Sequence, residues 1–184
     1  MIDDRTDPFD RPLRVLIAED ETIIRLDLKL LLEDNGFAVC GEARDGIEAV
    51  ELARETKPDV GVFDLRMPRL DGIEAARRVY AERPVPIVLL TAYHERALVD
   101  RAVAAGVFTY LVKPFRPEDV VPALHAAVAR HDELLDARRD LGRRGGAPIE
   151  LDVHAAGGRV WPLRIQRRAD GSVEVKLAEA NDET

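Results

Sequence analysis

Cysteine is nearly absent. With Cys40 alone, no intramolecular disulfide framework can form, and a cytoplasmic location is the expectation. Long hydrophobic runs are missing too: none approaches the roughly 18 residues a membrane span needs, so no membrane partner is expected. Aromatic residues make up only 5% of the 184 residues, and the one tryptophan, Trp161, is a thin platform for stacking nucleic-acid bases. Basic charge is scarce in the first part of the chain. Residues 1–137 hold 18 basic against 27 acidic side chains, which argues against extended nucleic-acid contact there. Residues 138–184 are near balance, nine against eight, with the pairs Arg138-Arg139, Arg143-Arg144 and Arg167-Arg168. Residues 1–12 are acidic, carry proline and lack an apolar signal core, so they read as a loose extension.

Short apolar runs alternate with helical periodicity. Val15–Ala18, Phe37–Ala43, Val60–Phe63, Ile87–Leu90 and Phe108–Val112 have strand length. Helical patterns fall at Thr22 to Asn35, stopped by Gly36, at Gly46 to Glu55, at Gly72 to Glu82, at His94 to Ala105, and from Pro117 to about Leu141. Continuous apolar strands between helices call for a parallel sheet covered on both faces. The expected fold is therefore α/β, a flavodoxin-like five-stranded parallel sheet in the order 2-1-3-4-5.

The last helix is too long for a small sheet to cover. Its positions Val120, Leu124, Ala127, His131, Leu134, Arg138 and Leu141 follow a heptad-like spacing that His131 and Arg138 interrupt, and Pro122 falls near its first turns. After Gly142 to Gly146 come three period-2 runs, Ile149/Leu151/Val153, Trp161/Leu163/Ile165 and Val173/Val175/Leu177. They predict a small antiparallel β-meander with three-residue loops at Ala156-Gly157-Gly158 and Ala169-Asp170-Gly171, and with Leu151, Leu163 and Leu177 in one row. One apolar face on so small a sheet needs a cover, from the long helix or from a second subunit. The expected division is 1–12 extension, 13–130 α/β domain, 131–146 helix extension and linker, 147–180 meander and 181–184 tail.

Chemistry gathers at the carboxyl ends of the strands, as expected of an open α/β sheet. Glu19 and Asp20 end the first run, Asp64 the third, Thr91 the fourth and Lys113 the fifth. Each alone reads more simply as a cap or a surface residue; their joint occurrence at successive strand ends reads as a site. Three carboxylates suit a hard cation such as Mg²⁺, with Asp64 as a nucleophile toward a phosphoryl group and Lys113 and Thr91 as its partners. Cys40 and the four histidines have no such companions and read as packing, as does Tyr93.

The pieces Ile17-Ala18-Glu19-Asp20-Glu21, Asp64-Leu65-Arg66-Met67-Pro68-Arg69-Leu70-Asp71-Gly72, Leu90-Thr91-Ala92 and Tyr110-Leu111-Val112-Lys113-Pro114-Phe115 resemble the receiver domain of two-component response regulators. That resemblance spans about residues 13–130 and implies a phosphorelay protein, not an enzyme of small phosphoesters. By it, Asp64 is the phosphoacceptor, and Asp20, Asp64 and the backbone carbonyl of Arg66 hold Mg²⁺, with Glu19 acting through water. Lys113 contacts the phosphate and is joined to Pro114 by a cis bond, Thr91 and Tyr110 form a switch pair, and a sensor histidine kinase is the partner. The helix Ile23-Ile24-Arg25-Leu26-Asp27-Leu28 and the Tyr110–Phe115 stretch look most like receivers that precede an ANTAR-type RNA-binding output acting in antitermination. Residues 142–184 do not resemble that helical output, so its function is not carried over. A homodimer through the last helix or the β tail is the favoured association, and RNA or DNA binding by the Arg-rich tail is the alternative.

Overall fold

In the computed structural model the described residues are 11–92, 107–143, 149–154, 160–167 and 173–177. Five strands, β1 (Arg14–Ala18), β2 (Ala38–Ala43), β3 (Val60–Asp64), β4 (Ile87–Thr91) and β5 (Val107–Val112), form one parallel sheet in the order β2-β1-β3-β4-β5. The helices are α1 (Thr22–Asp34), α2 (Gly46–Thr56), α3 (Gly72–Glu82) and a long helix, Pro117–Arg143. The helix expected over His94 to Ala105 and the residue Tyr93 lie outside the described residues.

The strands read as unbroken apolar runs because both faces of the sheet are covered. Leu16, Ala18, Phe63 and Leu89 face a cluster completed by Ala49 and Ala53 of α2 and Ile73, Ala76 and Val79 of α3. Their neighbours Val15, Ile17, Val62, Val88 and Leu90 face the other way, onto Leu28 and Leu32 of α1 and Val120, Leu124 and Ala127 of the long helix. This is the period-2 geometry of a strand, here with two cores. Phe63, beneath the site, is the largest of the fully buried side chains, and its truncation to alanine would cost about 3–5 kcal/mol.

Helix boundaries have local causes. Asp45 caps α2 by accepting the amides of Ile47 and Glu48, and Asp71 caps α3 by accepting that of Glu74. Beyond α1, Gly36 takes φ +84° and ends the helix as expected. The buried face of α2 is built from Gly46, Ala49, Val50 and Ala53, whereas Ile47 is exposed; small residues there let the helix sit close to the sheet.

Two expectations change in the fold. Arg11, placed by sequence in the loose extension, is tied down: both of its terminal nitrogens donate to the Asp59 carboxylate at 2.8 Å. His131 does not interrupt the long helix's apolar stripe but is buried within it, its ring edge-on to Tyr80 with centroids 6.0 Å apart. The stripe runs on to the buried Leu134, and the helix is continuous through Pro122.

The second sheet pairs β6 (Ile149–His154), β7 (Val160–Arg167) and β8 (Val173–Leu177) antiparallel in the order β6-β7-β8. Leu151 pairs with Leu163, and Leu163 with Leu177. The long helix runs beside β6 and β7. The two loops expected as three-residue turns lie outside the described residues.

Candidate functional site

Sheet order decides what meets. Because β1 and β3 are neighbours, the residues that follow Ala18 and Phe63 emerge side by side. Carboxylate oxygens of Glu19, Asp20 and Asp64 lie within 4.8 Å of one another, with Glu19 and Asp64 buried and Asp20 exposed. On the next strand Asp64 pairs with Leu90, so Thr91 stands one residue farther along, and it is buried. Lys113 follows β5, and its ammonium reaches Glu19 Oε2 at 2.6 Å and Asp64 Oδ1 at 3.3 Å. The Lys113-Pro114 bond is cis. Tyr110 is half-buried against the α2/α3 core, and Arg66 is exposed in the loop after β3. Glu19, Asp20, Asp64 and Lys113 are thus brought together at the carboxyl end of the sheet, with Thr91 ending the strand between, while Tyr110 lies farther back along β5.

The electrostatics follow from burial. Glu19 is held above the ordinary carboxylate range chiefly because it is taken out of water; the hydrogen bond from Lys113 only partly offsets this. Burial likewise pushes Asp64 up, against the pull of Lys113 and with a further push from the charge of Asp20. Burial works to lower Lys113, yet the hydrogen bond to Glu19 and the charge of Asp64 outweigh it and raise the ammonium. The result is a lysine firmly charged beside two carboxylates that are costly to ionise. Such a cluster attracts added positive charge.

The donor set fits a hard divalent cation. Three carboxylates converge with oxygen ligands only, and the described residues include no other group of three acidic, histidine or cysteine side chains close enough to share an ion.

Sequence reasoning missed two supporting arginines. Arg25 donates to the backbone carbonyl of Glu19 at 2.7 Å with its side chain only 11% exposed, which fixes the turn that carries the acid pair. The signal was a charge set inside the apolar run Ile23-Ile24-Arg25-Leu26. Arg69, in the loop after Asp64, donates to Asp45. No local pattern links those two positions, because the contact joins loops from different crossovers.

This sheet order, with an acid cluster at its carboxyl edge, is that of a signalling receiver, and the chain belongs to the response regulator receiver domain family, whose pattern matches residues 15–125. Among particular relatives, the transcriptional regulatory protein PdtaR of Mycobacterium tuberculosis is 44% identical over 165 residues, which is 90% of this chain and 75% of that protein. The chemotaxis protein CheY of Thermotoga maritima is 40% identical over 113 residues, covering 61% of this chain and 94% of CheY. Among solved structures, the CheX-CheY-BeF3-Mg complex of Borrelia burgdorferi superposes with a TM-score of 0.58 at 26% identity, over 61% of this chain and 86% of that one. None of the helices among the described residues is long and apolar enough to cross a membrane.

Proposed function

We propose that this chain is a phosphorylation-switched regulator that takes a phosphoryl group from a sensor histidine kinase onto Asp64. The observation behind this reading is the meeting of three carboxylates and one ammonium, from three strand ends, at a single edge of the sheet. An Asp64 oxygen attacks the phosphorus of a phosphohistidine. The O–P bond forms as the P–N bond breaks, the electron pair returns to the imidazole nitrogen, and an acyl phosphate results. Mg²⁺ held by Glu19, Asp20, Asp64 and the Arg66 carbonyl would neutralise charge on the phosphoryl oxygens. Lys113 already faces Asp64 and transfers its ion pair to the incoming phosphoryl oxygen. The Thr91 hydroxyl donates to the same group, Tyr110 turns inward behind it, and the surface around β4 and β5 changes shape. Turnover of small phosphoesters is not part of this reading; the acyl phosphate hydrolyses slowly.

A surface for a protein donor lies nearby. On α1, directly after the acid pair, Ile23, Leu26 and Leu30 are at least half exposed at i, i+3 and i+7, an apolar stripe suited to a partner helix. In this reading residues 13–130 are the receiver, 131–146 the connector and 147–180 a separate output element that mediates protein contacts or a homodimer. The PdtaR relative, whose likeness extends over 90% of this chain, favours a transcriptional output as the second reading. Salt-dependent RNA or DNA binding, lost on deleting residues 142–184, would distinguish it.

The deciding experiment is labelling by acetyl phosphate with Mg²⁺, read by intact-protein mass. Wild type gains one phosphoryl group and Asp64→Asn gains none. Equal labelling of both, or no labelling of wild type, would falsify the assignment.

A further inference from the structure

The loop that leaves Asp64 is bound to α2 by a contact that the phosphoryl chemistry does not use. Arg69 sits in that loop at φ +65°, a left-handed conformation that a non-glycine residue adopts only where something holds it there. Its guanidinium donates to Asp45 Oδ2, from Nε at 2.8 Å and from Nη2. Asp45 is buried, and its other oxygen accepts the amides of Ile47 at 2.9 Å and Glu48 at 3.0 Å, so one carboxylate both caps α2 and receives the loop. The next residue tightens the contact. A Cβ on Gly46 would fall inside the van der Waals shell of the Leu70 carbonyl, so the loop backbone rests directly on the first residue of α2. At its start the loop is fixed to the sheet, Leu65 N donating to Leu90 O of β4 at 2.8 Å, and it is closed on itself by Gly72 N donating to Leu65 O at 3.0 Å.

We infer that the Asp45–Arg69 pair is a positioning device for the cation site: it sets the 66–70 backbone, and with it the loop's contribution to the oxygen shell. The inference rests on the reading that Glu19, Asp20 and Asp64 hold Mg²⁺. That ion demands near-ideal octahedral geometry, and three side chains do not fill six positions, so a backbone oxygen from the loop adjoining Asp64 matters in proportion to how firmly it is placed. Neither Asp45 nor Arg69 is itself one of the ligands. They act through the loop.

Two substitutions separate this role from capping and from backbone strain. Asp45→Asn keeps a good helix cap but removes the charged partner. Arg69→Gly removes the partner while relieving the positive φ. Titration calorimetry with MgCl2 on the full chain is expected to show each variant weakened about tenfold, as for residues that orient metal ligands. The double variant should be no weaker than either single one, because one contact is being removed twice. Arg69→Lys should recover part of the affinity. Simple charge acting through space predicts opposite signs: losing Arg69 leaves the site more negative and tightens Mg²⁺, whereas losing the Asp45 charge weakens it. Opposite signs, or unchanged affinity in both variants, overturn the proposal. Absence of Mg²⁺ binding in wild type itself overturns the cation reading beneath it, and the two failures are told apart because only the second touches wild type. Far-UV circular dichroism establishes that each variant is folded, and should Arg69→Gly not fold, Arg69→Asn, which also tolerates the positive φ, takes its place, because only the Arg69 arm separates positioning from charge.

Discussion

The ammonium of Lys113 lies 2.6 Å from Oε2 of Glu19, a carboxylate with no solvent exposure that comes from a strand three places away in the sheet. Lys113 is therefore the built-in counter-ion of the acid cluster, standing where added positive charge would be drawn. Substituting it should have two opposite effects. Lys113→Met should bind Mg²⁺ more tightly, since a competing cation is gone. Labelling by acetyl phosphate should slow by about 10²–10³-fold, the usual cost of losing one donor to the transition-state charge. Without Mg²⁺ the variant should also melt lower, because two buried carboxylates lose their partner. Parallel calorimetry, labelling rates and melts test all three.

Stability should depend on pH in a direction set by burial. Glu19 and Asp64 are both raised above their ordinary values, so their contribution is fully present below the ordinary carboxylate pKa and is lost as pH climbs through the raised values. Asp64→Asn should accordingly raise the melting temperature at neutral pH by a few degrees in Mg²⁺-free buffer. The gain should shrink toward acid pH, where Asp64 is neutral in wild type too, and shrink again with Mg²⁺ added. A constant gain across the pH range would contradict this account.

Asp59 behaves in the opposite sense. Burial works to raise it, but the Arg11 guanidinium and the Arg14 amide outweigh that and hold it below the usual range. Its contribution is present above the ordinary carboxylate pKa and fades as pH falls through the lowered value. Asp59→Ala strips the partner from the Arg14 amide at the start of β1 and should cost about 1–3 kcal/mol at neutral pH, and less in acid. Urea melts of both proteins at two pH values measure it.

The exposed stripe on α1 should matter to a protein donor and not to a small one. Leu26→Asp leaves the core untouched, since Leu26 is 52% exposed. It should reduce phosphoryl transfer from the kinase about tenfold, the loss of one interface anchor, while labelling by acetyl phosphate stays at the wild-type rate. Equal loss with both donors would place the effect in the site instead.

Much of this could be read from the linear chain. The runs Val15–Ala18, Val60–Phe63 and Ile87–Leu90 announce strands because each is covered on both faces, and the residue types closing them, acid, acid and alcohol, are unusual enough in sequence to mark a site. The spacing of β6, β7 and β8 was likewise legible, since a two-residue period leaves few registers. Harder to see was which apolar positions face inward. Ile23 and Leu30 of α1 share a helical pattern with Leu28 and Leu32, yet only the latter pair is buried, because the helix presents one stripe to the sheet and periodicity alone does not say which.

The order of elements, the site-bearing strand ends and the chemical character of the cluster were determined by sequence, because period, apolar length and side-chain type are local properties. Only the tertiary structure decided that Asp45 receives Arg69, that Asp59 receives Arg11 and that His131 packs on Tyr80. Each of those contacts joins residues separated by crossovers or loops. Their partners are chosen by how the helices settle on a twisted sheet, which no window along the chain contains.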